Sequence, residues 1–348
     1  MTRRDRSLLA TTLLGGLAAL SIGAAAPAQA QGALVMYCGA QEEWCRAMST
    51  AFERETGIKV SMTRKSAGKV FAQIKAEAAN PRADIWWAGT GDPHLQAAEE
   101  DLTVEYKSPK MGDLQDWAVR QWEQSKGKTI GIYSGALGFA YNTNQLKTVG
   151  AKEPKCWADL LDPKFKDEVQ VADPNSSGTS YTMLATIVQL MGEDKGFEYL
   201  KALHKNVNQY TKSGAAPAKA TALGETTVGI AFLHDLVTMV VDKAPIQTVP
   251  PCEGTGYEIG SMSIIKGAKN LDSAKRFYDW ALTAEAQKLG AETKSFQVPS
   301  NKNTPVPPEA PKLADIKLIN FDFAKYGSSA ERRRLLSKWD AEVKNLPK

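Results

Sequence analysis

The stretch Gly229-Ile230-Ala231-Phe232-Leu233-His234-Asp235 ends an apolar run with an imidazole and a carboxylate side by side. Together they can accept from and donate to hydroxyl groups. A second acid, Glu258, follows in Gly256-Tyr257-Glu258; two carboxylates would suit an ammonium equally well, because its three donors need acceptors. Four other segments set small polar residues just ahead of a helix. They are Ser66-Ala67-Gly68, Gly89-Thr90-Gly91, Ser176-Ser177-Gly178-Thr179 and Ser213-Gly214. Unpaired backbone N–H groups and the helix dipole make such places favourable for an anion. Any one of them also fits an ordinary N-cap with a tight turn, and Asp235 and Glu258 have equally plain alternatives, a helix cap and a strand face. The joint occurrence points to a phosphate or phosphonate held at one end by Ser66, Gly68, Thr90, Gly91, Ser176, Ser177, Gly178, Thr179, Ser213 and Gly214. His234, Asp235 and Glu258 are then left for the other end. Trp86, Trp87, Tyr133 and Tyr181 could stack on a ring, although tryptophans in a strand after Asp84 read as core. His94 reads as part of a helix start and His204 as the end of a surface helix.

The environment of that chemistry is set by the first thirty residues. Arg3, Arg4 and Arg6 make a basic start, Leu8 to Ala26 is largely apolar, and Ala28-Gln29-Ala30 fits a small-x-small cleavage pattern. Residues 1–30 therefore read as a signal peptide cleaved near Ala30, by the ordinary secretory or the twin-arginine route, with a periplasmic destination. Export makes the four cysteines candidates for bridges. Of the three connectivities, Cys38 with Cys45 and Cys156 with Cys252 is favoured: the first closes a short loop between a strand end and a helix start, the second staples distant segments. Zinc is not expected, since these gaps are not those of a metal site, and no metal or cofactor is expected elsewhere.

The formal net charge of +4 over 348 residues is too even to suggest nucleic acid or a membrane surface as partner. About 320 residues after the signal suffice for two lobes with separate cores. Strand and helix signals alternate. Ala33 to Tyr37 reads as a buried strand, and Glu42 to Glu55 as a helix with Trp44, Met48 and Phe52 on one face and Gly57 as its stop. Strand Ile58 to Met62, helix Lys69 to Ala79 and strand Ala83 to Trp87 follow. A second set comprises strand Val169 to Ala172, helices Thr179 to Leu190, Lys195 to His204 and Ala215 to Leu223, and strand Thr227 to Phe232. Tyr257 to Ile265 reads as a further strand and Glu331 to Lys344 as a charged surface helix. This βαβ alternation predicts α/β architecture with parallel sheets flanked by helices. No G-x-S-x-G elbow is present, which disfavours a serine hydrolase; a hydrolase using His234, Asp235 and Glu258 as acid and base remains an alternative.

The order of elements, with Ala83-Asp84-Ile85-Trp86-Trp87-Ala88-Gly89-Thr90-Gly91-Asp92, Cys156-Trp157-Ala158-Asp159-Leu160 and Cys252-Glu253-Gly254-Thr255-Gly256-Tyr257-Glu258-Ile259-Gly260, resembles the type II periplasmic solute-binding proteins of ABC importers. Within them it is similar to the branch holding ferric-ion, hexose-phosphate and phosphonate receptors. The resemblance implies two doubly wound α/β lobes with helices on both sheet faces, a ligand cleft between them, and closure that presents the solute to an inner-membrane permease. It places residues 32–134 and 254–300 in one lobe and 135–253 in the other, with crossings near Ser134 to Tyr141 and Pro250 to Gly256; the lobe of residues 301–348 is left open. It implies a monomer binding a small anionic solute without a chemical step. Ferric receptors of this branch carry adjacent tyrosines where His234-Asp235 stands here, and hexose-phosphate receptors carry a His-Asp pair and a later glutamate. The resemblance therefore favours a hexose phosphate-like solute, with ferric iron and aminoalkylphosphonate as alternatives.

Overall fold

The computed structural model describes residues 32–347, and the export segment lies outside the described residues. In chain order the first βα units are β1 (Ala33–Cys38), α1 (Glu42–Thr56), β2 (Lys59–Arg64), α2 (Ala67–Ala76), β3 (Ile85–Thr90) and α3 (Gly91–Glu99). α1 buries Trp44, Met48 and Phe52 and stops at Gly57, whose left-handed φ of 75° lets its N–H reach the Glu53 carbonyl. After α4 (Asp116–Gln124) and β4 (Ile130–Asn142) come α5 (Thr143–Val149), β5 (Val169–Ala172), α6 (Gly178–Met191) and α7 (Glu193–His204). They are followed by β6 (Val207–Thr211), α8 (Ala216–Leu223), β7 (Val228–Phe232), α9 (Leu233–Val241) and β8 (Ile246–Val249). The chain then runs through β9 (Tyr257–Ile264), α10 (Leu271–Ala281), α11 (Ala284–Glu292), β10 (Val298–Pro299), α12 (Phe323–Tyr326) and α13 (Ser329–Trp339).

The strands follow the order β2-β1-β3-β9-β4-β7-β5-β6. β1 pairs in parallel with β2 and β3, and β5 in parallel with β6 and β7. The fold is the mixed α/β, two-lobed arrangement expected, and β4 joins the lobes. Its residues Ile130 to Ala136 pair antiparallel with β9, and Leu137 to Tyr141 pair antiparallel with β7. All thirteen residues of β4 are buried, which explains why it reads as a run of small and apolar side chains rather than an alternating pattern. Two hydrophobic cores flank it. One gathers Leu34, Trp44, Phe52, Trp87, Met262 and Phe277; the other gathers Phe139, Trp157, Leu184, Phe197 and Phe232.

The C-terminal segment corrects one expectation. α13 is not a surface helix: Leu335, Trp339 and Val343 are buried in the second core, at a spacing of four that puts them on one face. Arg333, Arg334 and Lys338 take the other side. Two disulfides form as favoured: Cys38 pairs with Cys45, and Cys156 with Cys252 across 96 residues of chain. Among the described residues no helix is long and apolar enough to cross a membrane.

Candidate functional site

Parallel strands feeding helices put strand ends and helix starts along one crevice. Here the starts of α2, α3, α6, α8 and α9 converge on a cavity bounded by residues of both lobes. Ser66, Thr90 and Ser177 occupy the N-cap positions of α2, α3 and α6, yet none of their hydroxyls caps its helix. The ordinary side-chain capping role is therefore unfilled at these three helix starts, and free first-turn N–H groups with a helix dipole behind them favour an anion.

Of the residues expected at the anion end, Ser66, Thr90, Ser177, Gly178, Thr179 and Gly214 line the cavity. Gly68, Gly91, Ser176 and Ser213 do not, for reasons of packing. A Cβ on Gly68 would sit 3.1 Å from the Asn175 carbonyl and 3.2 Å from that of Ser176, so Gly68 lets the two lobes touch. Gly91 is pressed against the Gln121 side chain and the Ile259 carbonyl. The Ser176 hydroxyl donates to the Asp173 and Lys212 carbonyls, each at 3.3 Å. Ser213 accepts from Arg64 at 3.5 Å. Contact across the cleft continues where the Ser66 hydroxyl donates to the Lys212 carbonyl at 3.0 Å and where Thr90 faces Gly178.

Several lining residues carry no local signal in the sequence. Arg64 ends β2 and is the one cation among the lining side chains; its Nε donates to the Ala40 carbonyl at 2.9 Å. Gln41 and Gln297 also line the cavity, as does Tyr133, one of the rings the sequence offered for stacking. The Tyr133 hydroxyl accepts from the Gly89 N–H at 3.1 Å, in a turn where Ala88 and Gly89 both have positive φ.

His234, Asp235 and Glu258 line the same cavity and lie close together. The His234 Nε2 lies 3.6 Å from a Glu258 oxygen and 3.9 Å from an Asp235 oxygen. His234 is possible here because Gly135 has no side chain: a Cβ there would fall 2.3 Å from Nδ1. α9 begins at Leu233, so Asp235 lies in its first turn rather than capping a helix from Leu236, and it accepts from the Gln41 amide across the cleft. Burial depresses the His234 pKa, with Asp235 opposing. Burial also raises the Glu258 pKa well above the carboxylate range, reinforced by Asp235 and Asp92. A buried imidazole with two carboxyl groups beside it offers both donors and acceptors, a set suited to polyhydroxylated ligands.

The remaining histidines are structural. His94 stacks on Trp86 at 3.6 Å and contacts Ser263 Oγ at 2.8 Å. His204 is buried, between the Tyr210 hydroxyl at 2.9 Å and the Leu346 carbonyl at 3.0 Å, which corrects its reading as part of a surface helix. Trp86 and Trp87 are core, and Tyr181 lies outside the cavity in the second core. Among the described residues, the one cluster of groups that could hold a metal is Cys156, Cys252 and Glu253, and both of its sulfurs are in a disulfide.

Residues 80–326 match the family of bacterial extracellular solute-binding proteins. The structure resembles that of the periplasmic binding protein AfuA from Actinobacillus pleuropneumoniae, solved with exogenous fructose-6-phosphate bound, at 48% identity and a TM-score of 0.88 over 91% of this chain and 100% of that one. It also resembles the periplasmic binding protein P5PA, at 42% identity and a TM-score of 0.87 over 90% and 100% of the two chains. A putative 2-aminoethylphosphonate-binding periplasmic protein of Salmonella typhimurium is 28% identical over 79% of this chain and 81% of its own.

Proposed function

The chain belongs to the bacterial extracellular solute-binding proteins, and from that premise we propose that it captures a hexose phosphate-like solute in the periplasm and delivers it to the inner-membrane permease of an ABC importer. Proteins of this family bind solutes and do not transform them, so His234, Asp235 and Glu258 act as readers rather than as acid and base. The observation that carries the reading is the make-up of the cavity, whose lining combines helix starts, hydroxyls and Arg64 with His234, Asp235 and Glu258. A phosphate dianion finds charge-assisted donors in the first group, and sugar hydroxyls find both donors and acceptors in the second. The similarity to a fructose-6-phosphate-bound protein supports the same assignment.

Residues 32–134 and 254–300 close as one lobe against residues 135–253, bending at the crossings near Ser134 to Tyr141 and Pro250 to Gly256. α12 and α13 travel with the second lobe, whose core holds Leu335 and Trp339, while Asn301 and Thr304 bond to Leu282 and Ala284 of the first. The protein works as a monomer with no cofactor, since one cavity built from both lobes of one chain holds the solute. The alternatives fit less well. Tyr133 is the single phenol lining the cavity, and it is bonded to a backbone N–H, a poor donor set for ferric iron. An aminoalkylphosphonate would put its ammonium beside Glu258, whose charged form burial disfavours.

A thermal-shift and calorimetric screen tests the assignment with fructose 6-phosphate, glucose 6-phosphate, 2-aminoethylphosphonate and iron(III). The hexose phosphates should stabilise the protein by several kcal/mol at concentrations far above Kd. A response to the aminophosphonate or to iron alone, or to none of the four, would overturn it.

A further inference from the structure

Arg332 lies outside the ligand cavity, yet it contacts the elements that form the cavity's anion end. Its guanidinium pairs with the Asp92 carboxylate, two residues beyond the Thr90 that faces the cavity. It lies 4.1 Å from the Tyr181 ring centroid, two residues beyond the Thr179 that lines the cavity from the other lobe. A third contact, from Nη2 to the Pro174 carbonyl at 3.4 Å, reaches the turn leading into α6. All three side chains are buried, with exposures of 5% for Arg332, 8% for Asp92 and 1% for Tyr181. The neighbours Arg333 and Arg334 instead pair at the surface with Glu100 and with Glu193 and Glu331.

The surroundings fix both ends of this bridge. Tyr181 is held by its hydroxyl, which donates to the Tyr326 carbonyl at 2.8 Å. α13 is anchored in the second core by Leu335 and Trp339, while the Ser329 N–H at its start donates to Glu99 of α3 at 2.7 Å. A small void bounded by Thr90, Asp92, Tyr181 and Glu258 separates the bridge from the ligand cavity. A planar guanidinium that is both ion-paired and stacked holds its two neighbours at a defined separation, which a lysine cannot reproduce.

We propose that Arg332 is a positioning residue, a strut that sets the distance between the Thr90-Gly91 turn of one lobe and the Ser177-Gly178-Thr179 turn of the other, and so the width of the anion site. The proposal rests on the phosphorylated-solute reading for its binding consequence. Its consequence for lobe spacing does not depend on the ligand. Removing the arginine alone leaves a buried, unpaired carboxylate at Asp92 and can unfold the chain. The informative variant is therefore the double substitution Asp92→Leu with Arg332→Met, which replaces the pair with apolar groups. It is compared with Arg332→Lys and with Arg333→Met, a surface control.

Two readouts are taken: calorimetric affinity for fructose 6-phosphate, and the distance distribution in ligand-free protein between spin labels at Glu43 and Leu223, introduced through unnatural side chains because all four cysteines are paired. The expected result is at least a tenfold loss of affinity and a broadened distribution in the double variant, an intermediate loss in Arg332→Lys, and no change in Arg333→Met. A folded double variant with wild-type distances, and with affinity within twofold where the wild type binds, would overturn the strut. Failure of the wild type to bind fructose 6-phosphate would count against the solute assignment instead, and the distance distributions would still decide the strut.

Discussion

Nine of the thirteen candidate ligand residues lie on the cavity wall because their local signal and their tertiary fate coincide. Small polar residues ahead of a helix mark a helix start, and in a doubly wound fold helix starts face the crevice. Arg64 was not legible for the converse reason: it ends a strand whose burial alternates and looks like a solvated position, and only the order β2-β1-β3 brings it to the cavity. Gln41 and Gln297 likewise have neighbours distant in sequence. Asp235 contacts both the cavity and Gln41, so Asp235→Ala should weaken hexose phosphate binding by about 1.5 to 3 kcal/mol while circular dichroism stays unchanged. An unaltered Kd would take the ligand away from this wall. His94 governs a different measurement. Burial pushes its pKa down to about 3 from 6.5, so between those values the unfolded chain binds a proton that the folded chain refuses. Stability is thus fully present above pH 6.5 and declines as pH falls toward 3, by about 1.4 kcal/mol per pH unit at most for this group. His234 acts in the same direction. Glu258, with its raised pKa, acts oppositely, its cost easing on acidification toward pH 4.5. Denaturant titrations of wild type and His94→Gln across pH 4 to 7 should show a shallower pH slope in the variant; parallel slopes would remove His94 as a cause.

The βα units of the first lobe were legible as elements because apolar runs and helical periodicity agree there. Elsewhere the reading fell short, most informatively at β4 and at the buried side of α13. β4 has glycines at 131, 135 and 138, which read as turns or a crossing rather than as the interior of a thirteen-residue strand. Each has its own packing reason: Gly135 admits the His234 ring, and a Cβ on Gly138 would lie 2.4 Å from Leu233. α13 shows charges over a buried stripe, and the charges dominate a reading by composition. The element that decides closure is the start of α6. A Cβ on Gly178 would fall 1.8 Å from Thr90 Oγ1 and 2.8 Å from both Thr90 Cβ and Cγ2, so no rotation of Thr90 relieves the clash. Gly178→Ala should therefore hold the lobes apart, with a larger radius of gyration by solution scattering when fructose 6-phosphate is present and at least a tenfold higher Kd. The melting temperature should stay near that of the wild type, since alanine favours a helix. Wild-type compaction on addition of the ligand would show that the lobes do not meet at this contact.

For the whole molecule, the α/β class, the two-lobed architecture and both disulfides could be read from the chain, because export, cysteine spacing and βαβ order are global signals. The exact contact surface of the lobes could not, since it depends on packing between residues far apart in sequence, such as Gly68 against Asn175. Chains with two lobes often melt in separate steps. Here one strand supplies hydrogen bonds to both halves, so neither half can lose its order without stripping an edge from the other. A single heat-absorption peak is expected in scanning calorimetry, with the amides of Phe139 and Ala140 exchanging with deuterium at the rate of global unfolding. Two resolved peaks would show that the shared strand yields locally. Continuous backbone between the halves thus makes thermal loss of either one loss of the whole receptor.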